Sequence, residues 1–406
     1  MRLPVTVLSG FLGAGKTTLL ARLLSEAGGR RLAVLVNDMA EVGMDGEILR
    51  AARERGVDVV RAEEKLVELS NGCICCTLRE DLLVEVGRLA DEGRYDALVI
   101  ESTGISEPLP VAQTLCLEVE GAPSVADRVR VDAMVTVVDA ARFPRDLASG
   151  DDLSERGLGL GDEDLRGVGQ LLIDQVEFAS ILVINKTDLV GAEELARLER
   201  LLASLNPGAR ILWAERGQLA VEDVLDTRSF DLEHASASAG WNRALVGDAA
   251  PESETYGIDS FVFRARRPFH PERLLAFLRS VAMKSVARMK GIAWIASRPW
   301  YRCILQTAGQ HATLDPAGLW WALVPEETWP KDEENQAAIR RSWDGEMGDL
   351  RQELVLIGVA LDRARLEKLL SRALLRPEEM ALGESGWLRF SDPLPPFETP
   401  EPTVAP

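Results

Sequence analysis

A chain of 406 residues, 46% hydrophobic and 27% charged, has the composition of a soluble globular protein long enough for two domains with separate cores. Its formal charge of −19 and pI near 4.8 leave no basic stripe to release counterions from nucleic acid, and no apolar run approaches the ~18 residues that span a bilayer. A nucleic-acid partner and a membrane location are therefore not expected. Five cysteines, three of them packed at Cys73, Cys75 and Cys76, suit metal or redox chemistry in a reducing cytoplasm better than a disulfide framework.

The first readable unit is Val5-Thr6-Val7-Leu8, a short β-branched strand, followed by Gly10-Phe11-Leu12-Gly13-Ala14-Gly15-Lys16-Thr17-Thr18 and a helical stretch from Leu19 to Glu26. The middle segment fits G-x-x-x-x-G-K-[ST] in the strand–loop–helix setting its mechanism needs. Glycines turn successive backbone N–H groups toward a phosphate, Lys16 reaches the β and γ oxygens, Thr17 offers a hydroxyl to Mg²⁺, and the helix dipole favours the anion. These phosphate contacts explain the apolar start after Arg2 better than a signal peptide does.

Leu32 to Val36 reads as a buried parallel strand that ends in Asn37-Asp38-Met39-Ala40-Glu41. Ligands collect where such strands end, which makes Asp38 a candidate in nucleotide hydrolysis and Glu41 a candidate metal ligand; a solvated acidic turn serves equally for either alone. A short strand is expected at 57–60 and a further segment at 66–69. Next, Asn71-Gly72-Cys73-Ile74-Cys75-Cys76-Thr77 precedes a helical face over 78–90, so the thiols stand at a helix N-terminus, which lowers thiol pKa. Three thiolates from one turn do not close a tetrahedron and need a fourth ligand from water, Glu41 or a partner. The alternatives are cysteines packed as small hydrophobes or a Cys73-x-x-Cys76 redox pair.

A strand at 95–100 delivers Glu101-Ser102-Thr103-Gly104. A strand-ending acid is the place from which Mg²⁺ is held and the nucleophile positioned, so Glu101 takes that role beside Thr17, and Gly104 lets the backbone approach the γ-phosphate. After a strand at 131–139 and an acidic, glycine-punctuated connection over 140–170, a strand at 180–184 delivers Asn185-Lys186-Thr187-Asp188. This N-K-x-D reads guanine: the Asp188 carboxylate accepts from N1–H and the exocyclic amine, Asn185 bonds O6/N7, and the Lys186 stem covers the base face. A helix over 193–205 and a strand over 209–213 complete the domain.

Residues 229–257 lose apolar periodicity and read as a linker. From 258 the expected order is a strand at 258–264, a helix from Pro271 to about Met283, strands near 291–297, 302–307, 318–323 and 352–358, and a helix at 362–375. Six of the nine tryptophans fall between Trp294 and Trp343 and suit the core of a small sheet domain. His234, His270 and His311 are isolated and do not read as ligands. The last sixteen residues, six of them proline, read as an unstructured tail. The expected fold is thus α/β: a P-loop GTPase domain with a mostly parallel sheet over 1–228, a linker over 229–257, a smaller α+β domain with an antiparallel sheet over 258–390, and a Pro-rich disordered tail over 391–406.

G-F-L-G-A-G-K-T-T, N-G-C-I-C-C, V-I-E-S-T-G and N-K-T-D, in that order, make the chain resemble the CobW-like family of GTP-dependent metallochaperones. Arg267-Pro268-Phe269-His270-Pro271, Gly291-Ile292-Ala293-Trp294 and Arg351-Gln352-Glu353-Leu354-Val355 extend the resemblance into that family's C-terminal domain. Phe143, Asp146 to Gly150 and Leu172-Ile173-Asp174-Gln175 look most like its zinc-homeostasis branch. The resemblance implies a GTPase that cycles between GTP and GDP with Mg²⁺, a C-x-C-C site for Zn²⁺ or another divalent transition metal, and delivery to a client metalloprotein through the C-terminal domain; a nucleotide-dependent homodimer is compatible with it. The chain departs from the family pattern in two places: Val36 stands where many members carry an acid, and an acidic loop replaces a histidine-rich one. The competing reading is a regulatory GTPase whose cysteine cluster is structural or redox-active and which acts through a protein partner.

Overall fold

The structure, a computed structural model, describes residues 2–37, 58–62, 77–116, 125–158, 166–232, 235 and 258–397. The chain divides into two compact units, Met1–Asp146 with Asp151–Gly240, and Leu147–Gly150 with Trp241–Pro406.

In the first unit the apolar runs become strands of one parallel sheet. They are β1 (Leu3–Ser9), β2 (Leu32–Asn37), β3 (Asp58–Ala62), β4 (Ala97–Glu101), β5 (Val129–Asp139), β6 (Ile181–Asn185) and β7 (Arg210–Ala214), all parallel, in the order β3-β2-β4-β1-β5-β6-β7. Of these, β1, β4, β5 and β6 are almost wholly buried. Helices cover both faces, as a parallel sheet requires. On one face, Leu19, Leu20, Leu23 and Leu24 of α1 (Lys16–Ser25) pack on Leu8, Val34, Val99, Val135 and Val183. On the other, Leu83, Val86 and Leu89 of α2 (Thr77–Asp91) and Ala112 and Leu115 of α3 (Pro108–Cys116) pack on Val5, Val7, Leu35, Leu98 and Ile100. Among the described residues, further helices are α4 (Phe143–Ala148), α5 (Val168–Glu177) and α6 (Ala192–Leu205).

Strand register decides where the chemistry lies. Glu101 is level with Leu8 and Val36, and Asn185 with Asp139 and Ala214, so every strand exit that carries a motif opens at one edge of the sheet. Central β1 has β4 on one side and β5 on the other, and the strand order turns around it. Open α/β sheets bind ligands at such a switch point.

The second unit is an antiparallel sheet, β11-β10-β9-β12-β8, of β8 (Ile258–Ala265), β9 (Val286–Ala293), β10 (Tyr301–Ala308), β11 (His311–Leu319) and β12 (Gln352–Val359). Its inward-facing Phe261, Phe263, Met289, Cys303, Leu305, Leu354 and Leu356 meet Leu274 and Phe277 of α7 (Pro271–Leu278) and Leu366 and Leu370 of α9 (Arg363–Ala373). Helix α8 (Glu333–Arg341) precedes β12, and short α10 (Pro377–Met380) and α11 (Gly383–Trp387) follow α9. Trp294, Trp320 and Trp387 form a satellite core with Ala296 and Leu375, whereas Trp300 and Trp343 are exposed, so the aromatic-core reading holds for only part of the Trp294–Trp343 set.

Several boundaries differ from expectation. The helix opened by Pro271 stops at Leu278, because Ser280 is extended and starts a separate 3₁₀ turn at Val281–Ser285. The strand expected at 318–323 is the end of β11, and Trp321–Leu323 is a 3₁₀ turn. The linker does not begin at 229: Ser229 and Phe230 donate backbone N–H groups to the Asp132 carbonyl at 3.0 and 3.1 Å, and Phe230 lies against Phe178. Nor is the proline-rich end unstructured from 391. Leu394 is buried in the second core, Asp392 accepts from Ser297 and Arg298 at 2.7 and 2.8 Å, and the Phe397 ring meets Tyr301. Prolines that cannot join a sheet still fix an extended chain able to pack against one.

Candidate nucleotide and metal site

The phosphate loop leaves β1 and runs into α1. Lys16 is buried, and its Nζ donates to the carbonyls of Gly10 and Phe11 at 2.7 and 3.3 Å, which holds the ammonium across the mouth of the loop. Gly15, at φ +106°, could carry no side chain: a Cβ there would stand 2.3 Å from Asn185 Nδ2. Thr17 Oγ1 donates to Glu101 Oε1 at 2.8 Å, which brings together the two residues expected to hold Mg²⁺. A hydroxyl and a buried carboxylate side by side next to a phosphate cradle fit that ion, which takes few protein oxygens and keeps the rest for phosphate and water. Thr18 is exposed at the start of α1, and Gly104, which follows β4, comes so close to the loop that a Cβ would stand 2.7 Å from the Leu12 backbone nitrogen.

The N-K-x-D run closes the other side. Asp188 is exposed on the 3₁₀ turn Thr187–Leu189, ready to accept from a base. Lys186 adopts φ +61°, and its Nζ donates to the Gly13 carbonyl at 2.6 Å and to Asp139 Oδ2 at 2.7 Å. A left-handed lysine is a small backbone cost tolerated where geometry has a purpose. Asn185 departs from the O6/N7 role expected of it. It is 1% exposed, donates through Nδ2 to the Ala14 carbonyl at 2.9 Å and accepts from Gly217 N at 3.0 Å, so both ends of its carboxamide tie the phosphate loop to the loop after β7.

Two residues of this network, Asp139 and Gly217, are not picked out by the motifs. Asp139, at the end of β5, accepts the Ala141 and Arg142 backbone N–H groups on Oδ1 and Lys186 on Oδ2. It has the same signal as Glu101, an acid ending an apolar strand. Gly217 has no local signal, since it acts through a contact distant in sequence. Asp38, Glu41, Cys73, Cys75 and Cys76 lie outside the described residues. The two described cysteines are poor thiolate donors: burial pushes the Cys303 thiol up to about 12 and raises that of Cys116 as well.

The family described as CobW/HypB/UreG, nucleotide-binding domain, matches residues 4–213, and the cobalamin synthesis protein cobW C-terminal domain matches 258–374. The chain belongs to the CobW/HypB/UreG family. Within it, the zinc-regulated GTPase metalloprotein activator 1 of Dictyostelium discoideum is 42% identical over 97% of this chain and 84% of that protein. The zinc chaperone CobW of a Sinorhizobium species is 30% identical over 76% of this chain and 86% of its own length. Zn(II)-bound YjiA GTPase from E. coli, a solved structure, covers 92% of this chain and 100% of that one at 22% identity and a TM-score of 0.41. The family membership and the parallel-sheet domain followed by an antiparallel one agree with the sequence expectations. Among the described residues, no helix is long and apolar enough to cross a membrane.

Proposed function

We propose that this protein is a cytoplasmic GTP-hydrolysing metallochaperone that couples its nucleotide state to the binding and delivery of a divalent transition metal, zinc. The observation that carries the reading is the convergence of the phosphate loop, Glu101 and the N-K-x-D run at one sheet edge, with Asn185 and Lys186 bonded directly to the loop carbonyls. Its metal side is supported by the C-x-C-C run and by relatives named as zinc chaperones and zinc-regulated GTPases.

In this reading Lys16 and the loop amides bind the phosphates of GTP or GDP, and Asp188 selects guanine. Thr17 and Glu101 hold Mg²⁺, which supplies charge neutralisation for the β and γ oxygens. Gly104 meets the γ-phosphate, so the loop after β4 differs between the two nucleotide states. Asp38 acts from the exit of β2 during hydrolysis. Cys73, Cys75 and Cys76, with Glu41 as the fourth ligand, carry zinc as cargo, and a client metalloprotein docks on the C-terminal domain.

The test is GTP hydrolysis across a panel of buffered divalent ions, with the metal content of the purified protein measured alongside. Zinc is expected to change the rate of the wild type, whereas a Cys73→Ser, Cys75→Ser, Cys76→Ser variant stays folded and hydrolyses GTP without a zinc response. A variant that retained the zinc response would contradict the assignment of the cargo site.

A further inference from the structure

The carboxamide of Gln175, on α5, faces the loop that leaves β4. Nε2 donates to the carbonyls of Gly104 and Ser106 at 3.3 and 3.2 Å, and since both partners are acceptors they identify which end of the amide points at the loop. Oε1 is buried with no hydrogen-bond partner among the described residues. The side chain is 1% exposed, and its backbone is anchored from β5, where Thr136 Oγ1 donates to the Gln175 carbonyl at 2.7 Å. Arg166 holds the same loop a second time, through the Ile105 carbonyl at 3.3 Å and Glu107 Oε1 at 3.2 Å. Gly104 itself abuts the phosphate loop at Leu12.

A buried amide with one end unfilled is less favourable than the methionine or leucine that would occupy the same volume. Packing therefore does not account for it, whereas a grip on two loop carbonyls does. A carboxamide can also exchange a carbonyl partner for an N–H partner without leaving the core, because it presents both a donor and an acceptor. We propose that Gln175 is a positioning residue for the γ-phosphate response. It sets the resting position of Gly104–Ser106, and its Oε1 receives a backbone N–H of this loop when the loop closes on the γ-phosphate. This inference rests on the assignment of Gly104 as the γ-phosphate contact.

The experiment compares the affinities of the full chain for fluorescent GDP and for a non-hydrolysable GTP analogue in the wild type, Gln175→Met and Gly104→Ala. Methionine matches the glutamine in volume and removes both kinds of hydrogen bond. Gln175→Met is expected to bind GDP within about twofold of the wild type and the GTP analogue about tenfold more weakly, the equivalent of one net buried hydrogen bond. A GTP-analogue to GDP ratio within about twofold of the wild type would overturn the proposal. Should Gln175→Met fail to fold, amide hydrogen exchange in the wild type decides the question: protection across residues 104–107 rises with the GTP analogue and not with GDP, and equal protection in both states overturns it. Gly104→Ala separates the two levels, since loss of the GTP-analogue preference supports the γ-phosphate assignment whatever Gln175 does, and an unchanged preference removes that assignment and this inference with it.

Discussion

Asp139 does for Lys186 what Glu101 does for Thr17: a buried carboxylate at a strand exit fixes the direction of a side chain beside the phosphate loop. One oxygen of Asp139 is used on the Ala141 and Arg142 backbone, which leaves the other to define where the lysine ammonium lies against Gly13. Charge-assisted bonds of this kind are about twice as strong as neutral ones. Asp139→Asn is therefore expected to weaken GDP and GTP-analogue binding alike, by about tenfold, in a fluorescence titration, and unchanged affinity would show that Lys186 needs no such support. Asp188 makes a different prediction. In Asp188→Asn the acceptor proposed to read the guanine N1–H and amine becomes an amide, so the preferred substrate should move from GTP to xanthosine triphosphate by about 100-fold in kcat/KM. An enzyme built for ATP would show no such gain. Both carboxylates end or follow an apolar run in the sequence, yet only Asp188 stands in a motif, because N-K-x-D is a contiguous pattern and Asp139 acts on Lys186, which follows the neighbouring strand β6. Asn185 shows the opposite error. Its place was legible but its partners were not, since the burial that turns its amide inward depends on where the phosphate loop and Gly217 come to lie.

At the level of elements, the central parallel strands were legible because burial on both faces leaves unbroken apolar runs such as Leu32 to Val36. The hairpin of β10 and β11 was not. Its two-residue turn, Gly309-Gln310 between paired Ala308 and His311, lacks an Asn-Gly or Asp-Gly pair, and Pro316 interrupts a strand that tolerates it only because β11 is at the sheet edge. Helix packing in the same unit supports a prediction about pH. Arg273 of α7 donates to both carboxylate oxygens of Glu379 of α10, at 2.8 and 2.6 Å, and Arg376 N adds a third bond at 2.7 Å. The Arg273 pairing first, and then the Arg376 amide, lower the Glu379 carboxyl to about 2. A depressed pKa means that the folded protein binds fewer protons than the unfolded chain, so this stabilisation is complete above the ordinary carboxylate range and is lost as pH falls from about 5 to about 2. Denaturant unfolding of the wild type and Glu379→Gln should accordingly differ by about 1–2 kcal/mol at pH 7, a figure reduced for solvent screening, and converge as the pH approaches about 2. A difference independent of pH would mean that the glutamate acts through packing alone.

For the whole molecule, two compact units with separate cores carry one nucleotide site and one antiparallel sheet domain, and the 42% relative spans both. A GTPase that delivers metal must make its cargo affinity depend on its nucleotide, and linkage makes that dependence reciprocal: whatever factor GTP imposes on zinc, zinc imposes on GTP. In the proposed function the phosphate loop, Glu101 and Gly104 report the γ-phosphate, while Cys73, Cys75 and Cys76 immediately precede α2 in sequence, between β3 and β4. The measurement that bears most directly on this account is calorimetric titration of Zn²⁺ into the nucleotide-free, GDP-bound and GTP-analogue-bound protein, with the reverse titration of each nucleotide at fixed zinc. The account predicts zinc affinities that differ by about tenfold or more between the GDP and GTP-analogue states, with the same factor recovered in reverse. Equal zinc affinity in all three states would contradict it.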